Sequence, residues 1–502
     1  MSIRFKTISY LGIGLIFGAG GLAGKSGPFY MDIGLFRATE DQSRIEVYLG
    51  IERQQLRYEP IQSRYRTELA AVVLVKQRGH IVDFKELSVE DVIDRVDDPD
   101  PGVISRQATF VLEAGKYNIQ AVVEDSRGRQ YEEISTVEVP VYSGKELAIS
   151  TIEPAQLIRR VPGQKEFSKS GLVIIPNAAV SYNATYPLLW YYAEIYGLTP
   201  LDMVALRTVI KKDDAAVITL EDERTPSPAL IFHEWGAINI SGLAEGDYQL
   251  SIVATVDEDT VRGIRTFRVE GDTVAAPDTM DVLTALSAAD RMRFARGLSK
   301  LPADLDIQKY RSGDLAAKDR LIREAVDQLA SDLEGDPGSV LAELIRTWPR
   351  ATAFEPNWRN RRRFTEQGRT VFLHDLPATI ETYPATSLRR EHHIWTYVDQ
   401  DRTDTFVFVD QQGYGRFTLA HATVPGTLTD ENWERRVSWV PVPVDAPAKE
   451  HMEEVRDEIA APPVVEPELA EPVPADSAAD VMVPALQDTF ALDSDSLEAV
   501  AL

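Results

Sequence analysis

The sequence predicts a multidomain, mainly β protein: two immunoglobulin-like β-sandwiches, a helical connector, a small α+β C-terminal module and a disordered tail. Three observations lead there. The first is an internal repeat, in which Leu112-Glu-Ala-Gly115-Lys-Tyr117-Asn-Ile119 returns, about one sandwich domain later, as Leu243-Ala-Glu-Gly246-Asp-Tyr248-Gln-Leu250. Apolar residues alternate after each tyrosine (Ile119 and Ala121; Leu250, Ile252 and Ala254), as in a half-buried strand. Gly-x-Tyr entering such a strand matches a tyrosine corner, with the phenol inward and its hydroxyl on nearby backbone. The second is a change of apolar period from two to 3.6 after Pro277. The third is a break in composition after about Val440.

The 502 residues suit about three folded units, and 44% hydrophobic with 26% charged residues is a globular composition. A net charge of −26 repels a phosphate backbone, which argues against nucleic acid as a partner. With no cysteine, disulfides, thiolate metal sites and lipid-anchored cysteines are excluded.

At the N-terminus Arg4 and Lys6 precede the apolar run Ile8 to Leu22 and the small residues around Ala23. This is the grammar of a signal peptide, residues 1–23, and it implies a periplasmic or secreted chain with no membrane span after cleavage. The run is shorter than a spanning helix needs; an uncleaved anchor is the open alternative. Ala19 to Ser26 nearly spells a phosphate-binding loop, but Gly27-Pro28 is a poor start for the helix that motif requires.

Residues 29–147 read as the first sandwich, with strands at Ser43 to Ile51 and Leu69 to Val75. Loop 97–102 is rich in oxygen ligands but lacks the glutamate an EF-hand needs, so it reads as a solvated loop. Residues 148–272 read as the second sandwich, with strands at Leu172 to Ile175 and Leu188 to Tyr196. Trp190, Tyr192 and Glu194 on the latter read as sandwich core or as a carbohydrate-stacking face.

Residues 277–349 form the connector. Ile322, Val326, Leu329 and Leu333 share one helix face ahead of Gly335-Asp-Pro337-Gly338, and Val340, Leu341, Leu344, Ile345 and Trp348 stripe a second helix that Pro349 closes. The module, 350–440, returns to short strands at Thr370 to Leu373, His393 to Val398, Thr405 to Val409 and Phe417 to Leu419. The tail, 446–502, is acidic and proline-rich, with Lys449 and Arg456 its only bases from Lys449 on; it reads as disordered, a solubilising extension or a set of docking segments.

Several runs in the module carry a resemblance: Phe364-Thr-Glu-Gln-Gly368-Arg369, then Leu373, Pro377 and Ile380-Glu381, then Ile394-Trp395-x-Tyr397, Phe406-Val-Phe-Val-Asp410-x-x-Gly413-Tyr-Gly415, Leu419-Ala-His421 and Trp433-x-Arg435-Arg436. Together they resemble the GWxTD domain family, known mainly from envelope proteins of Bacteroidetes-like and Gemmatimonadetes-like bacteria and without an established activity. The resemblance extends back over most of residues 29–440. Arg362-Arg363 stand where the family has Gly-Trp, Thr365-Glu366 where it has Thr-Asp, and Asp375 and Ala378 replace two residues of the next turn. A site built on that signature would here be degraded or repurposed.

No nucleophile elbow, zinc-binding helix or dinucleotide fingerprint occurs, so no catalytic residue, cofactor or metal is assigned. His374, His392, His393 and His421 lie in the module, but neighbours such as His392 and His393 point to opposite faces of a strand. Arg359, Arg361, Arg362, Arg363 and Arg369 form a basic cluster, suited either to a ligand's or partner's acidic groups or to the chain's own carboxylates. The expectation is a non-enzymatic extracytoplasmic scaffold or interaction protein of the bacterial cell envelope, with an envelope protein as partner. A glycan-binding protein, or a hydrolase acting on envelope polymers through the module, is the alternative.

Overall fold

Alternating apolar residues pleat the first part of the chain into eight strands: β1 (Phe29–Arg37), β2 (Gln42–Glu52), β3 (Glu59–Ile61), β4 (Arg64–Gln77), β5 (His80–Ile93), β6 (Val103–Glu113), β7 (Gly115–Glu124) and β8 (Gln130–Val139). In this computed structural model the described residues are 29–439, except 63, 94–95, 97–101, 161–166, 184–186, 201, 222–224, 228, 272–282, 284–285, 287, 300, 302–304, 333–334, 355–364, 387, 400–401, 425–426 and 431. The expected signal peptide (1–23), most of loop 97–102, Leu333, Arg359, Arg361, Arg362, Arg363 and the expected tail (446–502) therefore lie outside them.

Strands β1-β2-β6 form one sheet and β3-β4-β7-β8, with β5 on β4, form the other. Ile45, Val47, Val73, Val75, Ile119 and Ala121 fill the space between the two sheets.

The second sandwich follows with β9 (Ala148–Ile149), β10 (Glu153–Arg160), β11 (Ser168–Lys169), β12 (Leu172–Pro176), β13 (Ser181–Tyr182), β14 (Leu188–Tyr196), β15 (Met203–Lys212), β16 (Ala215–Glu221), β17 (Thr225–Pro226), β18 (Phe232–Asn239), β19 (Gly246–Val256) and β20 (Asp259–Val269). One sheet runs β13-β20-β19-β15-β16 with β17 on β15. The facing sheet begins β11-β12-β10-β14-β18, with β9 on β14.

The two repeat copies enter β7 and β19 in the same way. Gly115 and Gly246 have φ of 151° and 148°, a region that a side chain disfavours. Two residues on, the Tyr117 hydroxyl donates to the Glu113 carbonyl at 3.2 Å, and the Tyr248 hydroxyl donates to the Ala244 carbonyl at 2.7 Å. Tyr248→Phe keeps the ring in the core and removes this bond together with the longer one its hydroxyl accepts from Lys212 at 3.4 Å, so it is expected to lower stability by about 1 kcal/mol, read from the urea midpoint.

Five helices come next: α1 (Ala288–Leu298), α2 (Ile307–Ser312), α3 (Leu315–Asp332), α4 (Pro337–Ala353) and α5 (Glu366–His374). They precede β21 (Thr379–Tyr383), β22 (His392–Asp399), β23 (Arg402–Asp410), β24 (Phe417–Ala422) and a last turn of helix, α6 (Glu434–Val437). The expected stripes Ile322, Val326, Leu329 and Leu341, Leu344, Trp348 are buried on α3 and α4.

Three expectations need correction. Thr370 to Leu373 lie in α5, because the Thr365 hydroxyl caps it by accepting from the Gly368 N–H at 2.9 Å; a four-residue apolar run does not distinguish strand from helix. Helix α4 runs through Pro349 to Ala353, its second half held by burial of Trp348 and Ala351. The C-terminal strands are not a sheet of their own. Strand β21 pairs antiparallel with β18, so that β21-β22-β23-β24 continue the second sandwich's sheet to ten strands.

This arrangement explains β14, whose nine residues are all buried. Leu189, Tyr191, Ala193 and Ile195 face the six-stranded sheet, while Leu188, Trp190 and Tyr192 belong to the core beneath the helices. The order of layers is sheet, sheet, helices.

Candidate functional site

Residues far apart in sequence meet at a cavity of about 250 Å³ between the ten-stranded sheet and the start of α5. Trp190, Trp235, Trp395, Phe354 and Phe417 give it aromatic walls, and Arg159, Arg160, Arg416 and His393 give it nitrogen donors. Thr365, Glu366 and Gln367 close it at the helix end, and Glu366 is the only carboxylate among its described lining residues.

The turn after β23 is pinned from within. The buried Asp410 carboxylate accepts from the backbone N–H groups of Gln412, Gly413, Tyr414 and Gly415, the last at 2.6 Å. Gly413 and Gly415 have φ of 72° and 70°, which allows the chain to fold around the carboxylate. The turn leads directly to Gly415, Arg416 and Phe417 on the cavity wall. Thr365, Ile380, Trp395 and Gly415, widely separated in sequence, all line this one cavity.

Among the basic groups, Arg160 pairs with Glu391 at 2.7 Å. The half-buried Arg159 side chain makes no hydrogen bond or ion pair among the described residues, and burial lowers its pKa. His393 is stacked on Phe417, with ring centroids 3.9 Å apart, and its pKa too is lowered by burial. Its Nδ1 lies 3.0 Å from the Gln367 amide nitrogen, which leaves Nε2 to carry the ring proton. The Trp395 indole nitrogen is buried without a hydrogen-bond partner.

Trp190, 4% exposed, stands in the cavity wall, and Tyr192, fully buried, donates to Glu194 at 2.9 Å. Glu194 also accepts from Tyr196 at 2.7 Å and pairs with Arg44 of the first sandwich at 3.0 Å. These residues tie the two sandwiches together and offer no open face for stacking a sugar. Arg369 is exposed on α5, and the other four arginines lie outside the described residues. His392 stacks on Tyr383, away from His393's partner Phe417. Among the described residues no group of His, Asp and Glu could hold a metal ion.

A second feature is an open edge. Strand β5 pairs with β4 on one side and with no other described strand. Ile81 and Val82, at a shift in the β4–β5 register, are both half exposed, as is Phe84, and the regularly paired neighbours Phe84, Lys85 and Glu86 are exposed on alternating faces. The β4–β5 hairpin therefore projects past the sandwich core. No sequence signal separates this strand from a buried one, because exposure depends on where the facing sheet ends.

The fold defines a multidomain, mainly β protein with two sandwiches and a helical layer. No family model and no curated protein matches the chain. Among solved structures, the fibronectin(III)-like modules of Clostridium thermocellum CbhA are 12% identical, over 50% of this chain and 99% of theirs, with a TM-score of 0.14. Dimeric latent PorU from Porphyromonas gingivalis is 11% identical over 49% of this chain and 24% of its own, with a TM-score of 0.16. A chimeric titin Z1Z2 tandem is 13% identical over 48% of this chain and 100% of its own, at 0.13. At these scores the likeness adds nothing to the strand pairing described above.

Proposed function

We propose that the chain is a non-enzymatic interaction protein of the bacterial cell envelope, docking a protein partner on the first sandwich. The observation that supports this is the open edge of β5. An edge that pairs with no other described strand, its Phe84 N–H held by the Asp83 carboxylate at 2.8 Å, beside half-exposed Ile81, Val82 and Phe84, is a template for an added strand. Lys85 and Glu86 interrupt the apolar run, which restrains indiscriminate pairing. The envelope location rests on the signal-like N-terminus, and no described helix is long and apolar enough to cross a membrane. A glycan platform on Trp190 is disfavoured by its burial.

The test is in-cell crosslinking and affinity purification from fractionated envelopes, comparing the wild-type chain with Phe84→Lys. Because Phe84 is half exposed, the substitution should change stability by no more than about 0.5 kcal/mol. A stoichiometric envelope partner lost in the variant is the expected result. A partner retained by the variant would exclude β5 as the docking edge, and absence of any envelope partner would sink the scaffold reading.

A further inference from the structure

We propose that the cavity at the start of α5 binds a small ligand that presents an oxyanion on a flat apolar body, with Arg159 and the Trp395 indole N–H as its donors. The inference is independent of docking on β5, and either can fail without the other.

Three features carry it. The first is an excess of unmatched donors. The Trp395 N–H is completely buried and bonds to nothing, although a buried indole N–H ordinarily finds an acceptor. The His393 Nε2 is not counted with it, because it faces the Glu391 carboxylate, 3.8 Å from Oε1. Arg159 is a half-buried cation with no counter-ion among the described residues. Donors left open in this way ask for an acceptor-rich group, and a charged one answers the arginine as well.

The second is the balance of charge. Arg159, Arg160 and Arg416 line the cavity against the single carboxylate of Glu366, and Arg160 is already matched by Glu391. The N-terminal end of α5 adds a partial positive charge at the same place. The third is shape. Three tryptophans and two phenylalanines enclose a volume at the small end of ligand sites, which suits one flat ring or a compact apolar body and excludes a polymer chain.

The structure does not separate a carboxylate from a phosphate, so the experiment uses both. The full-length protein is titrated with benzoate, phenyl phosphate and neutral benzyl alcohol, with binding read by tryptophan fluorescence and by saturation-transfer NMR on the probe. At least one anion is expected to bind saturably in the millimolar range, about tenfold or more tighter than benzyl alcohol. The preferred anion identifies the source chemistry.

Arg159→Gln should weaken that anion about tenfold or more, while leaving the thermal midpoint of the unliganded protein unchanged or raised, since the arginine has no described partner to lose. Trp395→Phe, which removes the N–H and reduces the indole to a phenyl ring, should weaken binding by a smaller factor. Three results would overturn the proposal: no saturable anion binding, benzyl alcohol binding as tightly as the anions, or an affinity indifferent to Arg159→Gln.

Discussion

Replacing Lys169 with methionine is expected to destabilise the chain by about 3–5 kcal/mol, read as a fall in the urea midpoint. The Lys169 ammonium is buried between two sandwiches. It lies 2.7 Å from Glu46 of β2, 2.5 Å from Glu153 of β10, and 3.8 Å from the centre of the Phe36 ring. Methionine keeps the length of the stem but leaves two carboxylates buried without their cation. Arg44, on the Glu46 side at 2.8 Å, remains, so Glu153 suffers most.

The same cluster sets a pH dependence. Burial pushes the Glu153 carboxyl up to about 7 against the opposing pull of Lys169, from an ordinary 4.5. Burial also pushes Glu46 upward, but Lys169 and Arg44 outweigh it and hold that carboxyl below the usual range. Between about pH 4.5 and 7 the folded chain keeps a proton on Glu153 that the unfolded chain releases. The stabilisation from this group is therefore complete below pH 4.5 and is lost as the pH rises through 7. Glu153→Gln is permanently neutral and should escape that loss. Its stability relative to wild type should rise from about pH 5 to about pH 7.5, measured by urea denaturation at both. A constant difference would show that Glu153 titrates normally.

The second large effect concerns the C-terminal segment: residues 350–440, produced alone, are expected not to fold. Strand β21 takes its hydrogen bonds from β18, with Ala237 opposite Ile380, and the Asn239 N–H donates to the Ala378 carbonyl at 2.8 Å. Cut away, β21 becomes an open edge, and Trp395, Phe372 and Phe408 lose a core that they share with Trp190, Trp235 and Phe294. In the full chain, Trp395→Ala is expected to cost about 3–5 kcal/mol and to lower the midpoint of the second sandwich together with the module, in one transition. A dispersed NMR spectrum from the isolated segment would refute the shared core.

Much of this organisation was legible from local pattern. The repeated Gly-x-Tyr marks β7 and β19 because a positive φ, an inward ring and a short backbone bond are all set within five residues. Helix stripes on α3 and α4 are legible for the same reason, since a period of 3.6 needs no distant partner. The aromatic strand Leu188 to Tyr196 was legible as a strand, but its two readings could not be separated, because core and open surface use the same residue types.

What stayed hidden depends on distance along the chain. The cavity joins residues from Leu157 to Thr418, and nothing near Arg159 in sequence shows that Trp395 will stand beside it. The lysine at position 169 reads as an ordinary surface residue until Glu46, over a hundred positions earlier, is folded against it. Composition, alternation and spacing settled that the chain is mainly β, that it holds two related sandwiches, and that helices follow them. Only the tertiary structure decided that the last four strands extend the second sandwich, that Trp190 and Tyr192 are interior, and that β5 is an open edge. Local conformation answers to neighbours a few residues away, whereas burial and strand partnership answer to whichever surfaces meet in space.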